Sequence, residues 1–203
     1  MHDGGYESGY AACPCFWGES PGSLVRRFLD RGHDIGRLTV LDAGCGEGKN
    51  AFALAERGCV VDAIDCSARA VAVGMERFAH PAITWSVADI ADWPLETKQY
   101  DMVVAYGLLH CLPSAETISM LVGRLQAATA PGGTHIICAF NNGPHDFSAH
   151  PGFTPTLLPH ESYLGLYRGW QIVAEDSSIL HETHPHNGVP HHHSMTRLIA
   201  EKP

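Results

Sequence analysis

The spacing of apolar positions changes several times along the chain. Residues 1–22 are rich in Gly, Pro and aromatics without a clean period, and they predict an N-terminal arm of loop or short helix. Residues 23–32 (SLVRRFLDRG) space their apolar side chains as an amphipathic helix does. Leu38-Thr39-Val40-Leu41-Asp42 is then a short apolar run ending in a glycine-rich loop, the pattern of a buried parallel strand. Residues 49–57 read as a helix stopped at Gly58, and Val60 to Asp65 as a second strand. Ser67 is placed to cap a helix running to about Phe78. Ile83 to Val87, Tyr100 to Ala105 and Thr134 to Phe140 read as further strands. A helix over 115–129, closed by Pro131-Gly132-Gly133, precedes the last of them. Strands alternating with helices in this way predict an α/β chain with a parallel sheet covered on both faces. Beyond Phe140 a Gly/Pro/His loop over 141–159 and a short helix near 160–168 are expected. Two strands follow, Gln171 to Asp176 and Ser194 to Glu201, with a turn at Asn187-Gly188 between them.

Composition narrows the function classes. Of 203 residues, 45% are hydrophobic and 17% charged, which suits one domain with a sizeable core. The net charge of -9, with no Lys/Arg run, argues against a nucleic-acid partner. No segment has the length of a membrane span and the first ten residues hold no apolar signal core, so a cytoplasmic protein, with no membrane partner, is expected. The seven cysteines are odd in number and several sit in apolar runs, where thiols are structural rather than paired. Nine of the fourteen histidines lie from His145 onward, three of them in the run His191 to His193.

The strongest chemical signal is the loop Asp42-Ala43-Gly44-Cys45-Gly46-Glu47-Gly48-Lys49-Asn50 between a strand and a helix. Its glycines let the backbone turn sharply and approach a ligand at the carboxyl end of the sheet. It is neither a dinucleotide fingerprint, since Lys49 stands where G-x-G-x-x-G needs its third glycine, nor a P-loop, which requires G-x-x-x-x-G-K-[ST]. Asp65, ending the second strand, can accept hydrogen bonds from both hydroxyls of a ribose. Asp89 after the third strand can accept from an adenine amino group, with Ile90 packing on the ring. A tight turn without a ligand is the plainer reading, and the two acidic residues at matching strand ends count against it.

These features resemble the class I methyltransferases. VLDAGCGEG, the acidic residue of AIDCS, the Ala88-Asp89 pair, YDMVVAYGLLHCL and the Pro-Gly-Gly before strand five carry the resemblance over residues 38–140. It implies a Rossmann-like, doubly wound seven-stranded sheet in the order 3-2-1-4-5-7-6 with strand seven antiparallel. The whole of 1–203 would be one domain, with 1–22 as arm or lid and 141–203 as the acceptor-side loop and last two strands. It also implies S-adenosyl-L-methionine as cofactor, held by Asp42, Gly44, Cys45, Gly46, Gly48, Asn50, Asp65, Cys66, Asp89, Ile90 and Ala105. A closer likeness, to the tellurite-resistance methyltransferases, rests on Gly48-Lys49-Asn50-Ala51, the arm tyrosines Tyr6 and Tyr10, Tyr167-Arg168-Gly169-Trp170, and Leu180-His181 followed by Asn187-Gly188. That group carries arginines where this chain has Glu182 and the stretch Val189 to His193, which points to a different acceptor.

The implied reaction is in-line methyl transfer to a small-molecule acceptor, in which alignment and exclusion of water are the enzyme's main tasks. Tyr106 is the candidate for contact with donor or acceptor. His110 is the first candidate base, against the plainer reading of a helix-start histidine bonded to a carbonyl. Tyr6, Tyr10 and Trp17, with Phe16, can form an aromatic lid, or merely pack the arm onto the core. His191 and His193 fall on one side of a strand, and with His181 across the turn they form a candidate acceptor pocket or zinc-type metal site. An exposed loop is the expectation for His184, His186 and His192. Two other readings stay open: non-methylating chemistry on the same cofactor, such as a cyclisation, and a non-catalytic metal-binding protein. Monomer and homodimer are both compatible with the sequence.

Overall fold

The computed structural model describes residues 6–32, 34–95, 99–184 and 187–203. Its centre is a seven-stranded sheet in the order β3-β2-β1-β4-β5-β7-β6. The strands are β1 (Thr39–Ala43), β2 (Val60–Asp65), β3 (Ile83–Val87), β4 (Tyr100–Tyr106), β5 (Thr129–His145), β6 (Gln171–Thr183) and β7 (Pro190–Glu201). The first five run parallel, and β7 lies antiparallel between β5 and β6. Helices α1 (Glu7–Ala12), α2 (Ser23–Leu29), α3 (Lys49–Ala55), α4 (Ala68–Arg77), α5 (Ala115–Ala127) and α6 (His160–Gly165) fill the connections. Sheet order and strand directions are those the resemblance implied. No helix among the described residues is long and apolar enough to cross a membrane.

Strand alternation builds two apolar layers. Val40, Val61, Ala63, Met102, Val104 and Ile136 face the layer that holds α2 and α3. Leu41, Ala43, Ile64, Val103, Ala105 and Ile137 face the layer of α5 and α6. Ser67 caps α4 by accepting the Ala70 N–H, and Ser114 caps α5 through the Thr117 N–H. All seven cysteines are free, and Cys45, Cys59, Cys111 and Cys138 are buried, as structural thiols should be.

Three expectations about the second half need correction. Pro131-Gly132-Gly133 does not precede β5 but lies within it, where a register shift after Tyr100 absorbs the extra residues. A Cβ on Gly133 would come within 2.6 Å of Thr129 Cγ2, so the irregularity needs glycine. The expected loop over 141–159 begins as strand, because β5 continues to pair with β7 as far as His145↔His193. The last two strands are likewise longer than their apolar runs. The polar segments Ser177 to Thr183 and Pro190 to His193 form a paired hairpin extension, closed by Gly188 at φ 64°. Histidine and serine carry no apolar signal, so the alternation there was invisible to a hydropathy reading.

Candidate active site

A cavity of about 360 Å³ opens at the carboxyl ends of β1, β2 and β4, where open α/β sheets place ligands. Gly44, Cys45 and Gly46 form one wall. Gly44 and Gly46 hold positive φ, at 67° and 55°, and a Cβ on either would come within 2.9 Å of Leu108 Cδ1 or Tyr10 Oη. The loop is thus a cradle that side chains would fill. The Asp65 carboxylate, at the end of β2, accepts N–H bonds from Gly46 and Ser67, both at 2.8 Å. Burial still pushes its pKa up, so a further donor from a ligand would be well placed to stabilise the charge. Asp89 accepts the Ala91 N–H at 3.0 Å and lines the cavity beside buried Ile90. Cys66 and Asn50 also line it.

Three expected cofactor residues stand behind this wall. Ala105 is fully buried in the apolar layer. Gly48, at φ 85°, lets the chain pass Trp85, whose Cη2 would lie 2.1 Å from a Cβ there. Asp42 is 1% exposed, with Oδ2 lacking a hydrogen-bond partner among the described residues. Desolvation lifts its pKa to about 7, against partial relief from the Ala51 N–H. A carboxyl whose folded pKa lies above its unfolded value favours the folded state at low pH, and that advantage is lost as pH rises through about 7. Asp42→Asn, which cannot ionise, should therefore gain thermal stability relative to the parent at pH 8 compared with pH 5. An identical difference in Tm at both pH values would show that Asp42 does not carry this charge penalty.

The N-terminal arm is strapped over the cavity. Glu47 accepts the Cys15 N–H at 2.7 Å, Lys49 Nζ donates to Trp17 O at 2.6 Å, and Asn50 Oδ1 accepts the Gly22 N–H at 2.8 Å. Glu7 on α1 receives the Ser67 hydroxyl. Tyr6, Tyr10 and Trp17 line the cavity as a lid would, and Trp17 Nε1 donates to Tyr10 Oη at 3.2 Å. Phe16 is buried, packed edge-on against Trp17 at 4.8 Å.

At the far end the cavity is lined by Tyr106, His110, Cys138, Phe140, Leu180, Glu182 and Arg197. Tyr106 Oη lies 3.4 Å from Ser23 Oγ. His110 is stacked on Phe140 at 3.9 Å and 7°, and its Nδ1 accepts the Phe140 N–H at 3.1 Å. The proton of the neutral ring therefore sits on Nε2, which is buried without a partner among the described residues. Burial also drops its pKa to about 3. The base expected at His110 is thus a hydrogen-bond donor, and the carbonyl-bonded alternative is equally incorrect, since the bond runs from a backbone N–H.

The C-terminal histidines need a second correction. His181 pairs with His192 across the hairpin, while Glu182 pairs with His191 and Leu180 with His193. Cross-strand partners share a face, so His181 is exposed on the side opposite His191 and His193 and joins no cluster with them. Glu182 takes the place expected for it. His191 and His193 are buried, and so is His184, stacked on Phe16 at 4.8 Å, where an exposed loop was expected. His192 is half-buried, and His186 lies outside the described residues. His150, half-buried, stands beside the buried group, its Nε2 3.2 Å from that of His191. Burial and the neighbouring imidazoles drop the His193 pKa to about 3.

Residues 40–133 match a family model described as a methyltransferase domain. The fold is that of the class I methyltransferases. An uncharacterised methyltransferase of Mycobacterium bovis is 36% identical over 112 residues, 55% of this chain and 55% of that protein. The chain spans about half the length of such curated relatives. A 2-heptyl-1-hydroxyquinolin-4(1H)-one methyltransferase of Mycobacteroides abscessus is 29% identical over 146 residues, 68% of this chain and 62% of that one. Among solved structures, TehB from Haemophilus influenzae superposes with TM-score 0.69 at 22% identity, covering 88% of this chain and 62% of that one. The N-methyltransferase NodS from Bradyrhizobium japonicum, solved with S-adenosyl-L-homocysteine, gives 0.67 at 17%, covering 89% and 84%. At these identities the superpositions establish the fold alone.

S-adenosylmethionine is the cofactor of such methyltransferases, and the residues present fit it: a glycine cradle, Asp65 and Asp89 as acceptors, and Ile90 as an apolar wall. Sequence reasoning missed Glu47, Lys49, Glu182, Arg197 and His150. Glu47 and Lys49 stood in the quoted loop, and their pairing with the arm follows only from the fold. Glu182 was displaced by its neighbour because the strand register decides which of two adjacent residues faces inward.

Proposed function

We propose that the protein transfers a methyl group from S-adenosylmethionine to a small-molecule acceptor by in-line displacement. The observation that supports it most is one cavity shared by the Gly44–Gly46 cradle with Asp65 and Asp89 at one end and Tyr106, His110 and Glu182 at the other, under an aromatic lid. Its volume, about 360 Å³, lies within the range of small-molecule sites. When bound, the cofactor supplies an electrophilic methyl group on a sulfonium. The chain's own task is then to bind, align and dry. Asp65 and Asp89 anchor the nucleoside end. Tyr6, Tyr10 and Trp17 shield the cavity from water, and their ring faces suit a cation. The His110 Nε2–H offers a fixed donor to an acceptor.

One relative is named for a hydroxyquinolone, which supports an acceptor of small-molecule size. The likeness to the tellurite-resistance group is supported by its arm tyrosines lining the cavity. An acceptor of a different class from that group's is supported by Glu182 and the imidazoles, which occupy positions where the group carries arginine. The test is turnover with a panel of thiols, selenite, tellurite and small aromatics. Equimolar S-adenosylhomocysteine and methylated product are expected for at least one. Consumption of the cofactor without S-adenosylhomocysteine would replace methyl transfer by a cyclising or eliminating reaction.

A further inference from the structure

The hairpin extension of β6 and β7 and the loop after β5 converge on a group of side chains that take no part in holding the cofactor. We propose that His150, Glu182, His191 and His193 bind one divalent transition-metal ion of the zinc type, at the acceptor end of the cavity.

One ligand atom from each of the four lies within 4.8 Å of the others. His150 Nε2 and His191 Nε2 are 3.2 Å apart. Glu182 Oε1 is 3.6 Å from His191 Nε2 and 3.8 Å from His193 Nε2. Zinc–nitrogen bonds of about 2.0–2.1 Å in a tetrahedron place neighbouring ligand atoms about 3.3–3.4 Å apart. The cluster therefore needs only tenths of an ångström of adjustment along these edges.

Hydrogen bonds around the cluster set the tautomers that a metal requires of His191 and His193. His191 Nδ1 lies 2.9 Å from Val189 O, so the proton is on Nδ1 and the Nε2 lone pair faces the cluster. His145 Nε2 lies 2.6 Å from Asn141 O and must donate there, which leaves its Nδ1 as an acceptor. His193 Nδ1, 3.2 Å away, donates to that acceptor. The His193 Nε2 is consequently a lone pair, in a fully buried side chain, with no hydrogen-bond partner among the described residues. A buried unpaired acceptor is costly, and a cation between it and Glu182 removes that cost. Three neutral imidazoles and one carboxylate form a donor set of zinc, cobalt or nickel character rather than one for magnesium or calcium.

The site is coupled to both ends of the acceptor region. Glu182 lines the cavity. His193 stacks on Phe140 at 4.2 Å, and Phe140 stacks on His110. His184 lies with its Nε2 3.1 Å from that of His150 and packs against Phe16 and Trp17 of the arm. The metal would thus hold lid and hairpin together.

The inference does not depend on methyl transfer, and its test reads metal directly. The full chain is stripped with chelator, loaded separately with Zn²⁺ and Co²⁺, desalted, and assayed for metal by mass spectrometry and for tetrahedral Co²⁺ absorption. One ion per chain is expected in the parent and in the H181A/H192A double variant, whose imidazoles lie on the opposite face. H191A/H193A should retain less than about a tenth of an ion, and E182Q and H150A should bind about 10-fold or more weakly, as loss of a ligand or its supporting partner does. If H191A/H193A fails to fold, E182Q and H150A, checked by circular dichroism, carry the same test. A parent that holds no ion, unchanged affinity in E182Q and H150A, or loss of the ion in H181A/H192A would each overturn the proposal.

Discussion

Replacing Asp65 by alanine is expected to weaken S-adenosylmethionine binding by about 100-fold or more. Two hydrogen bonds to a charged acceptor are at stake, each worth roughly 1.5–3 kcal/mol, and about 1.4 kcal/mol is tenfold in affinity. The loss has two routes. Asp65 fronts the cavity, where it would accept from the ribose, and it also fixes the Gly46 N–H at 2.8 Å, so its removal loosens the cradle. Asp65→Asn keeps one acceptor oxygen and should fall between the parent and alanine. Calorimetric titration of the three proteins checks the order, and an alanine variant within threefold of the parent would remove Asp65 from the binding site.

The largest stability effect is expected at Gly48, which the cavity does not include. Gly48→Ala would place a Cβ 2.1 Å from Trp85 Cη2, in a backbone conformation, φ 85°, that alanine adopts only under strain. The backbone strain alone is about 1–3 kcal/mol, and displacement of a packed indole adds about 1–3 kcal/mol. A total near 3 kcal/mol corresponds to a fall in Tm of roughly 6–12 °C for a chain of this size. Trp85 sits on β3 and also packs near Gly74 of α4, whose own Cβ would meet it at 2.6 Å. Gly48→Ala combined with Trp85→Leu should therefore recover part of the loss. An unchanged Tm in the single variant would show that this corner of the fold yields easily.

Much of the fold was legible because β1, β2 and β4 are buried on both faces and write themselves as apolar runs. Val60 to Asp65 and Ile83 to Val87 were bounded to the residue. The glycine-cradle end of the cavity was legible for a related reason: the cradle, Asp65 and Asp89 stand at or just after strand ends, so strand position tells where they lie. The exceptions are instructive. Asp42, Gly48 and Ala105 were expected among the same residues but stand behind the wall, in buried or turn positions.

The acceptor end was far less legible. There β6 and β7 are extended by polar residues, and their pairing is set by register rather than hydropathy. A shift of one residue exchanges His181 for Glu182 at the cavity. His150 lies in a loop with no periodic signal. The His110 tautomer depends on one backbone N–H from a residue thirty positions away. None of these follows from spacing along the chain.

Calorimetric titration with S-adenosylmethionine, performed on chelated and on zinc-loaded protein, tests the central claim most directly. The account predicts one site per chain with micromolar affinity in both preparations, lost in Asp65→Ala. No heat and no binding in either preparation, with the parent protein folded, would contradict it.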